Sequence, residues 1–168
     1  AIDPTLGEAW LGKGGIFEGQ GKAEDAIASY EKAIQSDPSD AVAWYEKGTV
    51  LEVTGQNEEA LACYGSAIEV DPNFVKAWQR KGHILYSAAR YIEAVDCYDR
   101  AVEADPSDGT IWYERGLALQ RLGRLEEAVE SYDRATEIDP SSAEIWYTRG
   151  TALDGLGRYQ EAVESYDR

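Results

Sequence analysis

The sequence has no methionine, a single histidine and only two cysteines. Each scarcity removes a class of protein. Zinc sites gather several Cys and His ligands, and Cys63, Cys97 and His83 are too few to build one. Two cysteines are not a disulfide framework. No Ser/His/Asp set and no Cys/His pair can be composed for nucleophilic catalysis, so no enzyme activity and no cofactor are expected. No apolar run approaches the ~20 residues of a membrane span, and no secretion signal is present, so the expected location is the cytoplasm. The missing methionine, absent even at the start, leads us to expect a piece of a longer protein. Positive charge is also short: 16 basic residues face 32 acidic ones, a net charge of −16. That balance repels phosphate backbones and anionic lipid, so nucleic acid and membrane surfaces are not expected partners.

What the chain does have is order at long range. Trp10, Trp44, Trp78, Trp112 and Trp146 are spaced 34 residues apart. The five prolines from Pro4 to Pro140 keep that step, as do Gly14, Gly48, Gly82, Gly116 and Gly150. An alanine series from Ala26 to Ala162 and a tyrosine series from Tyr30 to Tyr166 repeat with the same period. A fixed period of this length marks a repeat architecture. The repeats are 7–40, 41–74, 75–108, 109–142 and an incomplete 143–168, with residues 1–6 read as the tail of a preceding repeat, and the whole of 1–168 as one domain.

Each unit predicts two helices. Asp-Pro ends one helix, because proline cannot continue it and disfavours helical geometry in the residue before it. The residue after each proline (Thr5, Ser39, Asn73, Ser107, Ser141) is expected to cap the next helix through its side-chain oxygen. Glu8 and Glu144 would complete capping boxes. The first helix should stop at a glycine, Gly21, Gly55, Gly123 or Gly157, able to reverse the chain at positive φ. Ala89 replaces that glycine in the third unit, so the turn there must avoid positive φ or carry strain. The second helix carries Ala, Tyr and Ala on one face, as in Ala60, Tyr64 and Ala67. Cys63 and Cys97 occupy one position of successive second helices. Packed helices stand ~8–10 Å apart, farther than the ~7 Å a disulfide allows between Cα atoms, so two thiols are expected.

The pattern Trp-x-x-[Lys/Arg]-Gly-x-x-[Leu/Phe], followed by Ala-x3-Tyr-x2-Ala-x4-Pro, resembles the tetratricopeptide repeat (TPR) over essentially the whole chain. It departs by having Lys13, Lys47, Lys81, Arg115 and Arg149 before the central glycine, where the family often has Leu. Both this and the Leu or Phe at 17, 51, 85, 119 and 153 look like variants of prokaryotic arrays. The resemblance implies an all-α, right-handed superhelical solenoid of stacked antiparallel helix pairs with a concave groove. It implies a protein-interaction scaffold that holds a peptide or protein segment in that groove without catalysis. Two alternatives stand beside it: the substrate-recognition arm of a larger enzyme, and a self-associating module stacking head to tail through an uncapped apolar edge that includes Ala162 and Tyr166.

The first helix of each pair lines the groove in this family. Carried over by position, the candidates include a ladder of rings, Tyr45, Tyr113 and Tyr147, interrupted by Gln79. Lys76, Arg80 and His83 share one helix face and form a basic island, with Arg121 as an expected neighbour. Thr49 and Tyr86 complete the set. The island reads either as an anion site for a peptide carboxylate or as the partner of flanking Glu46 and Glu114. Lys76 and Arg80 also fit the carboxylate clamp that some TPR domains use on chaperone tails. Leu11, Gly15 and Glu46 do not fit it, and Glu46 reverses a needed property, which argues against that function.

One stretch invites a different reading. GEAWLGKGG, residues 7–15, has the spacing of a phosphate-binding loop but ends in Gly14 instead of Ser or Thr, and it lies inside a predicted helix. Gly14 is the first of the packing glycines. Gly12, Gly15 and Gly19 are extra, and their spacing makes a bare stripe on the groove side of the first helix. Each costs roughly 1 kcal/mol of helix stability relative to Ala. They mark either a drifting end repeat or a place where a ligand or another backbone comes close.

Overall fold

The structure, a computed structural model, describes residues 4–168, with side chains from residue 6 onward. Among the described residues ten helices follow one another: α1 (Pro4–Gly19), α2 (Ala23–Ser36), α3 (Ala41–Val53), α4 (Asn57–Val70), α5 (Val75–Ser87), α6 (Tyr91–Ala104), α7 (Gly109–Arg121), α8 (Leu125–Ile138), α9 (Ala143–Gly155) and α10 (Tyr159–Tyr166). Among the described residues there is no strand, and no helix is long and apolar enough to cross a membrane. Of residues 1–6, expected as the tail of an earlier helix, 1–3 lie outside the described residues, and Pro4 to Leu6 open α1.

Within a pair, the turn is made as the glycines predict. Gly21, Gly55, Gly123 and Gly157 have φ of 72, 81, 75 and 73°. Each turn is closed by an N–H reaching back five residues, such as Gln56 N to Leu51 O at 2.8 Å. Ala89 adopts the same left-handed geometry, φ 58°, and closes its turn with Arg90 N to Leu85 O at 2.9 Å. The third repeat thus carries the strain rather than avoiding it.

Between pairs, the predicted caps are displaced. The Ser39 hydroxyl and backbone N–H both donate to Asp37 Oδ1, at 2.6 and 3.0 Å, and Ser107 and Ser141 treat Asp105 and Asp139 the same way. The Asn73 N–H likewise donates to Asp71 at 3.0 Å. These charge-assisted bonds hold the hydroxyls on the carboxylate two residues back, and the free N–H groups of the next helix are left to another acceptor. That bonding holds the Asp37 and Asp105 carboxyls below their ordinary pKa. The cap falls to the next residue: Asp40 accepts from the Val42 and Ala43 N–H groups, and Asp108 from Thr110. The box expected between Ser141 and Glu144 does not form, since the Ser141 N–H donates to Asp139 instead, and Ser142 at the N-cap makes no side-chain cap bond. The Thr5 side chain, and with it the box expected at Glu8, lies outside the described residues.

Large and small side chains interlock within each pair. A methyl group on Gly116 would sit 2.4 Å from the Tyr132 ring; on Gly48 it would sit 2.7 Å from Tyr64, on Gly82 2.8 Å from Tyr98, and on Gly14 2.4 Å from Tyr30. The central glycines are therefore packing residues, as the repeat pattern predicts. The tyrosine hydroxyl then reaches the end of the first helix: Tyr30 donates to Glu18 at 2.8 Å, Tyr64 to Glu52 at 2.6 Å, and Tyr132 to Gln120 at 2.9 Å. The indole N–H groups of Trp44, Trp78, Trp112 and Trp146 donate back to the proline carbonyl that precedes the helix, as Trp44 does to Pro38 at 3.1 Å and Trp112 to Pro106 at 3.0 Å.

The chain forms two compact units that divide between Lys81 and Gly82, inside α5. In the first, Ala33, Ile34 and Ala43 pack against Trp10, Leu11 and Trp44, and Ala67, Ile68 and Ala77 pack against Trp44, Tyr45, Phe74 and Trp78. In the second, Tyr98, Ile111, Leu119, Tyr132 and Leu153 are fully buried. Cys63 belongs to the first unit and Cys97 to the second; both are buried, and neither is in a disulfide.

The basic residue before the central glycine behaves differently in the two units. In the second, Arg115 Nε donates to Asp99 of α6 at 2.5 Å, while another guanidinium nitrogen donates to Ser131 of α8 at 2.6 Å. Arg149 repeats this with Asp133 and Ser165, at 2.5 and 2.6 Å. Each arginine joins three successive helices. In the first unit, Lys47 Nζ pairs with Glu31 of α2 at 2.8 Å, and Lys13 lies over the Trp10 and Phe17 rings.

Candidate functional site

The first helices of the pairs present the predicted groove residues, and their surroundings differ by unit. In the first unit, Tyr45 packs on Tyr64 and Phe74, with ring centroids 5.7 and 5.1 Å apart. It is half-buried and held in place, so only part of the ring faces outward. Arg80 is bonded to Glu52 at 3.4 Å, and that carboxylate also accepts from Tyr64. Burial alone would lower the Arg80 pKa, but Glu52 and the hydroxyl of Tyr45 raise it. Lys76 acts on Glu46: burial and then Glu18 push the Glu46 carboxyl above its usual range, against the opposing pull of Lys76 and Thr49. Thr49 turns its hydroxyl to the Glu46 carbonyl at 2.8 Å. In this unit, then, Arg80 pairs with Glu52 instead of the flanking Glu46 and Glu114 the sequence suggested, and Lys76 meets Glu46 only as a nearby charge.

The glycine stripe of α1 has open space around it. A methyl on Gly12 or Gly19 would meet nothing within 4 Å, and on Gly15 only the Tyr30 hydroxyl, 3.9 Å away.

The second unit contains a cleft of about 500 Å³. Its walls are the C-terminal part of α5 (His83, Tyr86, Ser87), the first three turns of α7 (Thr110, Tyr113, Glu114, Leu117) and the start of α9 (Glu144, Ile145). Tyr98, Ile138 and Ile145 supply apolar surface beneath, and Asp139 and Ser142 of the α8–α9 connection close one end. Tyr113 packs on Tyr132 at 6.0 Å and donates its hydroxyl to Glu144 at 3.0 Å. Burial, then the pull of Glu144, raise the Tyr113 hydroxyl pKa despite a bond to Thr148. Burial and the Glu114 charge do the same at Tyr98, so both phenols stay neutral donors. Tyr86 packs on Tyr91 at 5.4 Å and accepts from Arg121 Nε at 3.2 Å. Half-exposed aromatic rings over an apolar floor, with hydroxyls and carboxylates at the rim, are the composition of a site that orients a chain segment by polar contacts and holds it by burial.

His83, Tyr86 and Tyr113 are thus brought to one cleft, with Arg121 bonded to its Tyr86. Tyr147 instead stands on α9, 64% exposed, against Tyr166. Tyr45, Thr49, Gln79, Lys76 and Arg80 belong to the first unit, as do Gly12, Gly15 and Gly19. Gly109, Ile138, Asp139, Ser142 and Ile145 were not legible as lining residues. Ile138, Asp139 and Ser142 sit on the end of a second helix and the connection after it, and Gly109 and Ile145 on first helices at positions outside the groove set carried over from the family.

Two sequence profiles described as tetratricopeptide repeat match this chain, one over residues 80–143 and again over 113–168, the other over 18–81. No curated protein matches it in sequence. Among solved structures, a MamA double mutant from strain RS-1 is similar with a TM-score of 0.88 at 22% identity, over 99% of this chain and 93% of that one. MamA 41-end from Desulfovibrio magneticus RS-1 gives 0.86 at 22%, over 99% and 94%. YrrB, a TPR protein with an unusual peptide-binding site, gives 0.83 at 26%, over 94% and 81%. At these identities the MamA likeness speaks to the fold, a helical repeat solenoid.

Proposed function

We propose a function from the premise that this chain belongs to the tetratricopeptide repeat family: it is a protein-interaction scaffold that holds a peptide segment of a partner in the cleft of its second unit, without catalysis. The observation that carries this is the cleft itself, which combines an apolar floor of Ile138 and Ile145 with the rings of Tyr86 and Tyr113 and a polar rim. A chain segment laid there buries apolar side chains and finds donors and acceptors for its backbone. YrrB, similar in fold, is a peptide-binding protein of this family, which supports the reading. The reading takes the protein as cytoplasmic, in keeping with two buried cysteines outside any disulfide. Phage-displayed random peptides selected on the protein provide the test. Selected peptides should bind, and Leu117→Arg, which fills the cleft from a half-buried position, should weaken them by about tenfold or more. Selected peptides that bind the filled cleft as tightly as the open one would sink the proposal.

A second reading is homotypic head-to-tail association. Val163 and Tyr166 of α10 are 57% and 46% exposed, whereas their counterparts Val129 and Tyr132 in α8 are buried. At the other end Ile16 is 63% exposed where Val50, Ile84 and Ala118 are covered. These two faces are complementary by repeat register. Sedimentation velocity should show concentration-dependent growth that Tyr166→Asp abolishes; a monomer at all concentrations counts against it.

A further inference from the structure

Resting on the reading of the second-unit cleft as a peptide site, we infer that its ligand is a cationic segment: an apolar side chain flanked by Lys or Arg. The inference runs against the sequence expectation of an anion site and comes from comparing equivalent positions of the repeats. Lys76 and Arg80 occupy two groove positions of α5. The same two positions are Thr110 and Glu114 in α7, and Glu144 and Thr148 in α9. The charge at these two positions therefore changes sign between α5 and the other first helices, Val42 and Glu46 of α3 included.

The cleft displays that reversal. Glu114, Asp139 and Glu144 line it, and among the lining residues only His83 is of basic type. The Glu144 carboxylate takes its hydrogen bond from the neutral Tyr113 hydroxyl, and Asp139 takes its own from Ser141. Neither bond neutralises a charge. Glu114 also lines the cleft, from α7 one turn before Leu117, and already has a partner of its own within the protein. An apolar side chain seated on Ile138, Ile145 and Leu117 would place its neighbours beside these acids. Lys and Arg there gain charge-assisted bonds at the rim, whereas Asp and Glu meet like charge. The net charge of −16 acts in the same direction at longer range, drawing cationic segments toward the protein.

The test uses the full chain and three labelled pools of short peptides built around a central Leu, flanked by Lys/Arg, by Asp/Glu or by neutral Ser/Gly, read by fluorescence anisotropy. The basic pool should bind at least about tenfold tighter than the neutral one. Raising salt from about 0.1 M to about 1 M, which shortens the screening length from ~10 to ~3 Å, should remove most of that advantage. Glu144→Gln and Glu114→Gln should each lower basic-pool affinity several-fold, while Glu46→Gln, on the first unit, should leave it unchanged. Circular dichroism confirms that the variants fold. Preference for the acidic or neutral pool, or equal loss with Glu46→Gln, overturns the cationic ligand yet leaves the cleft as a peptide site. Binding of no pool overturns both.

Discussion

Lys47 and Arg115 occupy one position of the repeat, two repeats apart, and hold their surroundings together in different ways. Arg115 in the second unit reaches a carboxylate on the preceding helix and a hydroxyl on the following one at once. Lys47 in the first unit makes one ion pair, with Glu31, and has Cys63 where the hydroxyl of Ser131 would be. The planar guanidinium offers several donors in a fixed fork, whereas an ammonium is a single charge on a flexible stem. Arginine, aspartate and serine therefore work as a set, present twice in the second unit and incomplete in the first. Between units, the shared glycine–tyrosine packing stays constant, and what varies is the polar tie laid over it.

The sharpest way to break the comparison is to attack what both units share. Gly116→Ala forces a methyl to 2.4 Å from Tyr132, and Gly48→Ala to 2.7 Å from Tyr64. Overpacking of this kind costs about 3 kcal/mol at the tighter site and somewhat less at the other. Urea unfolding measures both, and a neutral Gly116→Ala would remove the packing role of the central glycines.

Next in size is a gain confined to the first unit. Gly12→Ala/Gly15→Ala/Gly19→Ala should stabilise α1 by about 2 kcal/mol in total, because open space surrounds Gly12 and Gly19 and alanine favours the helix. A shift of the unfolding midpoint the other way would show that the bare stripe has a structural task. Loss of peptide affinity in this variant would show instead that a ligand lies against it.

Arg115→Lys tests the tie itself. It should cost about 1 kcal/mol, through loss of the Ser131 bond and the fixed fork. The reverse exchange, Lys47→Arg with Cys63→Ser, should recover a similar amount in the first unit. A double-mutant cycle over Lys47 and Cys63 reads the coupling, and strict additivity would mean that the set does not act together. Ala89→Gly should be stabilising by about 1 kcal/mol, since only glycine takes φ 58° without crowding its own Cβ; thermal unfolding decides.

The smallest effect is the pH response of Glu46. Its carboxyl is raised by burial and by Glu18, so the folded state binds a proton more readily than the unfolded one. Stability from this group is therefore gained as pH falls through the raised value toward the ordinary carboxylate range, and is absent at neutral pH. Glu46→Gln should remove that gain. The difference between parent and variant, measured by urea unfolding across this range, should move in favour of the parent on acidification, and a flat difference would contradict the shift.

Much of this was legible in the sequence because the repeat is local and redundant. Trp, Gly, Tyr, Ala and Pro recur in one register, so the helix pairs, the glycine turns and the Gly–Tyr contact follow from spacing and size alone. The helix caps were misread by one residue, because spacing cannot say which of two neighbouring side-chain oxygens will accept from the first helical N–H groups. The site was legible in part. His83, Tyr86 and Tyr113 come together, but Arg80 was read as a candidate anion ligand and is instead bonded to Glu52, 28 residues away.

The sequence by itself determined the number of helices, their pairing and which face of each is apolar, since those depend on contacts within about one repeat. Tertiary structure alone decided how charge is distributed over the groove. Whether a charge is spent on a neighbour or left at the surface depends on distances between side chains on successive helices. A difference of a few ångströms there separates an ion pair from an open carboxylate. Arg80 of the first unit is thus paired with Glu52, whereas in the second-unit cleft the Glu144 and Asp139 carboxylates take hydrogen bonds from the neutral hydroxyls of Tyr113 and Ser141.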